Sequence, residues 1–128
     1  MKLRIKANSL RLRLNRSELM RLIDTGHIEE TIYFSSNEQS RLTYALQHEP
    51  DLISATLRYQ TPEVVVVLPT EEATAWAESN QVGIYARVDL GSVGALDLIV
   101  EKDFACLDLS DADNLDTFPN PNAAGICP

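Results

Sequence analysis

The chain reads as an α+β protein: mostly antiparallel sheet or an open barrel, with two short helices. Three observations predict this. Apolar and charged residues alternate along the N-terminal segment with the period of half-buried strands. Two short stretches, near 16–25 and 70–79, combine capping residues with apolar positions at helical spacing. The second half then repeats the pattern of the first at an offset of 54 residues.

Leu3, Ile5 and Ala7 alternate with Lys2, Arg4 and Lys6, and Leu10, Leu12 and Leu14 alternate with Arg11 and Arg13. Asn8-Ser9 is the expected hairpin turn, because asparagine tolerates positive φ. Asn15 or Ser17 caps the first helix, whose apolar positions are Leu19, Leu22 and Ile23; Gly26 ends it in the left-handed region. Strands follow at about 28–34 and 41–47, turning through Ser35-Ser36-Asn37. The next strands, at about 53–59 and 63–68, are broken by Thr61-Pro62. The aliphatic run from Val64 to Leu68 suits a buried strand and is far too short to span a bilayer. Thr70 is expected to cap the second helix, with Glu71 and Glu72 near its positive end. Ala73, Trp76 and Ala77 form its apolar face and Asn80 ends it; strands at about 82–89 and 95–101 are joined by Gly91-Ser92-Val93-Gly94.

Shifted by 54, Leu14 falls on Leu68, and Leu19, Leu22 and Ile23 fall on Ala73, Trp76 and Ala77. Gly26 falls on Asn80, and Leu42, Tyr44 and Leu46 fall on Leu96, Leu98 and Val100, with no gap. The expectation is an internal duplication of a strand–helix–strand–strand unit, with a further strand joining or flanking each copy. The pseudo-repeats would cover about 1–48 and 55–102 of a single α+β domain spanning residues 1–107. Residues 108–128 read as a tail: Asp108, Asp111, Asp113 and Asp116 are acidic, and Pro119 and Pro121 exclude helix and central strand.

Charge is segregated. Residues 1–16 hold six bases and no acid; the rest hold five bases and 19 acids, so +6 and −14 make the net −8. This acidic balance disfavours nucleic acid, whose phosphates most of the surface would repel. No apolar leader or membrane span is visible, so the expected location is cytoplasmic. Cys106 and Cys127 read as thiols in that compartment, the first within an apolar run.

Four stretches resemble a family of small uncharacterised bacterial proteins, a domain of unknown function: Asn8-Ser9-Leu10-Arg11-Leu12-Arg13-Leu14, Leu42-Thr43-Tyr44-Ala45-Leu46, Val100 to Leu107, and Phe118-Pro119-Asn120-Pro121. The resemblance spans nearly the whole chain and implies no activity, substrate or cofactor. At fold level a duplicated β-α-β-β-β unit is also similar to the triphosphate-tunnel phosphohydrolases. Those carry a Glu-x-Glu-x-Lys strand for metal and phosphate, where this chain has Arg4-Ile5-Lys6 and no paired glutamates.

No pattern calls for a cofactor or metal. The aspartates from Asp111 depart from a calcium loop at Leu115. Cys106 and Cys127, like His27 and His48, stand 21 apart, which is no chelating spacing for zinc. The basic hairpin carries the functional signal. A turn at 7–8 sets Arg4 across from Arg11; a turn at 8–9 sets Arg4 across from Arg13 and Lys6 across from Arg11. Either way cations oppose on one face, and an anion must offset them. It would come from within, from Asp97, Glu101, Asp103 or the tail, or from a bound phosphate or carboxylate.

The leading reading is therefore a non-enzymatic binding or accessory protein. Lys2, Arg4, Lys6, Arg11, Arg13 and Arg58 would bind a small anionic ligand or an acidic protein segment. The alternative is a phosphohydrolase or transferase with a triphosphate-tunnel-like barrel. There Arg4, Arg41, Arg58 and Arg87 would hold phosphate, and Glu29, Asp97 and Glu101 a metal. Barrel closure around those charges is what separates the two.

Overall fold

The computed structural model describes residues 1–105 and 114–121. Cys106, Cys127 and the aspartates Asp108, Asp111 and Asp113 therefore lie outside the described residues.

The described elements are two α-helices, eight strands and one 3-10 turn at Gly91–Val93. Strands β1 (Lys2–Lys6) and β2 (Ser9–Leu14) lead into α1 (Arg16–Thr25), then β3 (His27–Tyr33) and β4 (Arg41–Glu49). The order then recurs: β5 (Thr56–Gln60), β6 (Glu63–Pro69), α2 (Thr70–Ala77), β7 (Gly83–Asp89) and β8 (Ala95–Lys102). The strand expected to flank each copy is the first of its hairpin, β1 or β5.

The hairpins cross over. One sheet runs β1-β2-β8-β7 and the other β3-β4-β6-β5. The four hairpin pairings are antiparallel, whereas β2–β8 and β4–β6 are parallel. Each sheet thus joins a hairpin from either half through its two central strands. The two mixed sheets do not close into a barrel, which corrects the premise of the tunnel reading.

Register keeps the 54-residue offset. Ser9 pairs with Asp97, and Thr43 pairs with Glu63. The amide of Asp97 donates to the Asn8 carbonyl at 3.1 Å, and the amide of Thr43 donates to that of Pro62 at 3.0 Å. Only β7 departs. Ile28 opposes Leu46 but Ile84, not Val82, opposes Val100, a shift of two residues. The extra length after α2 is recovered in the shorter β7–β8 connection, so β8 returns to register.

Local chemistry explains the elements. Asn15 accepts from the Glu18 amide at 2.9 Å while Glu18 accepts from the Asn15 amide at 3.0 Å, a reciprocal capping box. Gly26 ends α1 at φ 82° and donates to the Leu22 carbonyl. The first turn falls at Ala7-Asn8, with Ala7 at φ 49°, one residue before the expected position. α2 differs from expectation at both ends. Pro69 occupies its N-cap without a side-chain bond, because β6 runs directly into the helix. The helix closes at Ala77, with Glu78 as its C-cap.

One apolar cluster draws on both sheets and both helices. Leu12, Leu14, Leu22, Leu46, Leu68, Trp76, Leu98 and Val100 are buried in it. Each such side chain contributes about 1.5–3 kcal/mol relative to exposure. Trp76 also satisfies its indole, donating to the Val82 carbonyl at 3.1 Å. Among the described residues no helix is long and apolar enough to cross a membrane.

Candidate functional site

The alternation in β1 and β2 turns leucines to the core and cations to the opposite face of the β1-β2-β8-β7 sheet. Register sorts that face into rows. Lys2, Arg13, Glu101 and Gly83 form one; Arg4, Arg11, Ile99 and Tyr85 the next; Lys6, Ser9, Asp97 and Arg87 the third. The Ala7-Asn8 turn selects the register that opposes Arg4 to Arg11 and Lys2 to Arg13.

Part of the repulsion is offset within the sheet, by β8. Arg11 Nε and Arg13 Nε lie 3.3 and 3.8 Å from the same Glu101 Oε1. Neither approach is aligned as a hydrogen bond, so the attraction is one of charge alone. Glu101 Oε2 accepts from the Tyr85 hydroxyl at 3.0 Å. Burial, and then that bond to a carboxylate, push the Tyr85 hydroxyl above its ordinary value. Lys2 Nζ reaches Asp103 Oδ2 at 2.8 Å.

Among the described residues no carboxylate pairs with Arg4, Lys6 or Arg87. Arg4, Lys6, Ser9, Arg11 and Ile99 line a hollow of about 110 Å³. The Ser9 hydroxyl in its wall donates to the Lys6 carbonyl at 2.6 Å. Chemically this is a shallow cradle of guanidinium and ammonium donors, and among the described residues no carboxylate lines it.

Arg58 stands elsewhere. It lies on β5 of the other sheet and grips Glu49 with two nitrogens, at 2.5 and 2.9 Å. The residues of the alternative hydrolase reading are divided likewise. Arg4, Arg87, Asp97 and Glu101 belong to one sheet, and Glu29, Arg41 and Arg58 to the other. They do not converge, and among the described residues no cluster of potential metal ligands is found.

The tail is not on the basic face where its charge is described. Asp116 meets the start of α1: its carbonyl accepts from the Arg16 amide at 2.9 Å and its Oδ2 from the Ser17 amide at 3.3 Å. Exposed N–H groups at a helix start attract it there. Phe118 is held against Phe104, bridging it through the backbone and meeting its ring edge-on at 6.2 Å.

Sequence reasoning passed over one polar cluster entirely. The Met1 ammonium contacts Glu18 and, at 2.7 Å, Glu30; the Tyr44 hydroxyl donates to Glu30 at 2.9 Å. Glu30 and Tyr44 oppose each other across β3 and β4, a pairing legible only once that hairpin register is known.

With the fold and this geometry established, a family model described as a family of unknown function (DUF7009) matches residues 1–122, and the chain belongs to that family. No curated protein and no solved structure matches it.

Proposed function

We propose that this family member is a non-enzymatic binding or accessory protein whose basic hairpin face takes an anion, either a small ligand or an acidic protein segment. The observation that carries the reading is Arg4 opposed to Arg11 beside a hollow that also draws on Lys6. Opposed cations cost stability, and an anion seated between them relieves it. The residues of the face are Lys2, Arg4, Lys6, Arg11 and Arg13, with Arg87 joining them from β7. Guanidinium forks suit phosphate and carboxylate. Tyr85 is the one aromatic of these rows, too few for stacking on nucleic-acid bases.

We also infer a bacterial, cytoplasmic protein whose α+β domain, residues 1–107, arose by internal duplication and precedes an acidic tail. The repeated element order and the 54-residue register support duplication.

Titration with inorganic tripolyphosphate at low salt tests the binding face. Saturable binding, weakened at least about tenfold by Arg4→Ser combined with Arg11→Ser, is expected. Absence of binding, or equal binding by the folded double variant, refutes it.

A further inference from the structure

The strongest unassigned feature lies at the opposite side of β8. Along that strand Leu98 and Val100 enter the core, and period two sends Lys102 the same way. Lys102 is only 5% exposed. Its ammonium donates to the Ser79 carbonyl at 2.6 Å and sits 5.3 Å from the centroid of the Phe118 ring. Among the described residues it has no carboxylate. An ammonium carries three donors, so one carbonyl and one ring face leave it under-satisfied for a buried charge.

A second cation joins it. The Arg16 guanidinium lies 5.6 Å from the centroid of the same Phe118 ring. Both cations line a cavity of about 480 Å³ whose other walls include Val82, Phe104, Phe118 and Asn120. Among the described residues the neighbouring acids are engaged elsewhere, Glu101 with Arg11, Arg13 and Tyr85. Asp103 pairs with Lys2 on the other face, and Asp116 serves the start of α1.

We propose that this cavity is a binding site for a small organic carboxylate with an apolar body, held by Lys102 and Arg16 against the Phe104–Phe118 pair. The carboxylate would accept from the Lys102 ammonium and the Arg16 fork, replacing water at the buried charge. Its apolar body would lie against Val82 and the two rings. Phosphate fits less well: a compact, strongly hydrated dianion gains nothing from those apolar walls. Burial lowers the pKa of the Lys102 ammonium. The site is separate from the basic hairpin face and does not depend on that reading.

The test is calorimetric titration of the full chain with benzoate, hexanoate and, separately, inorganic phosphate. Lysine side-chain resonances are followed in parallel. Benzoate or hexanoate should saturate at millimolar concentration, shift the Lys102 Nζ resonance, and bind at least about tenfold more weakly to Lys102→Met. Arg16→Gln, which alters an exposed side chain, should weaken binding without loss of fold. The site is overturned if neither carboxylate binds, or if binding survives both Lys102→Met and Arg16→Gln. Phosphate that shifts the Lys102 Nζ resonance and binds as tightly as benzoate overturns the assignment to carboxylates.

Discussion

His48 and Lys102 stand at matching positions of the two halves, and each donates to a carbonyl at the C-terminal end of its own half's helix. His48 Nε2 reaches the Leu22 carbonyl of α1 at 3.1 Å; Lys102 Nζ reaches the Ser79 carbonyl just past α2 at 2.6 Å. The preceding backbone repeats the theme: the His48 amide donates to Gly26, and the Lys102 amide to Val82. Helix ends leave carbonyls without partners and carry partial negative charge, so a donor or cation belongs there. His48 Nδ1 also hydrogen-bonds the Thr70 hydroxyl at 2.7 Å, linking α1 to α2.

His48→Leu should therefore cost about 1–3 kcal/mol, since it strands the Thr70 hydroxyl and removes a donor from Leu22. Urea unfolding would show a lower midpoint at unchanged slope. A midpoint equal to that of the parent protein would mean water replaces both bonds freely.

Glu101→Gln removes the acid that Arg11 and Arg13 share. Retention on a heparin column should increase at low salt, because the charge screening the face is gone. The gain should shrink at high salt as the Debye length shortens. Stability should fall by about 1–3 kcal/mol, because two half-buried guanidinium groups lose the charge they share. Unchanged retention at low salt would show that Glu101 does not neutralise the face.

Glu30 and Tyr44 predict opposite pH arms. Burial pushes the Glu30 carboxyl up, but hydrogen bonds from the Met1 ammonium and Tyr44, with the charge of that ammonium, outweigh it and hold the carboxyl below its ordinary 4.5. Burial, then the bond to Glu30, push the Tyr44 hydroxyl from 10.0 to about 12. A lowered folded value gives stability that is present above 4.5 and lost as pH falls through the folded value. A raised one gives stability that is full below 10.0 and lost as pH rises towards 12. The stability difference between the parent protein and Glu30→Gln should narrow in acid. That for Tyr44→Phe should narrow between pH 10.0 and 12. Differences that stay level across pH would separate these bonds from the titrations.

Gly83→Ala should destabilise for want of space. A Cβ there would lie 2.4 Å from the Val100 carbonyl oxygen and 2.9 Å from Glu101 Cγ. The carbonyl belongs to the central strand β8 and has little room to yield. A loss of about 1–3 kcal/mol by thermal or urea unfolding is expected. A neutral substitution would require β7 to separate from β8 without penalty.

Much of the candidate site was legible. Alternation alone assigns Lys2, Arg4, Lys6, Arg11 and Arg13 to one face, because successive strand side chains point oppositely. The same rule, applied to Leu98-Ile99-Val100-Glu101-Lys102, marks Lys102 as a cation on the core side, a signal not used in reading that strand. The turn was harder. Asn8-Ser9 has the better turn chemistry, yet Ala7 takes the positive φ, and Leu10 and Leu12 meet Ile5 and Leu3 across the hairpin. Arg58 shares β-strand alternation with the other cations, and alternation says nothing about which sheet a strand joins.

The sequence by itself determined the local units: their strands and helices, a cap at Asn15 or Ser17, the stop at Gly26, and the 54-residue recurrence. These depend on neighbours within a few positions, where propensity, capping and periodicity act. The tertiary structure decided the partners of β2 and β6. Crossed parallel pairing brings Glu101 to Arg11 and Arg13, parts Arg58 from them, and leaves two sheets in place of a closed barrel. That choice comes from burying the apolar faces of all four hairpins and both helices in a common core. Contacts so distant in sequence leave no local periodicity that names the partner strand.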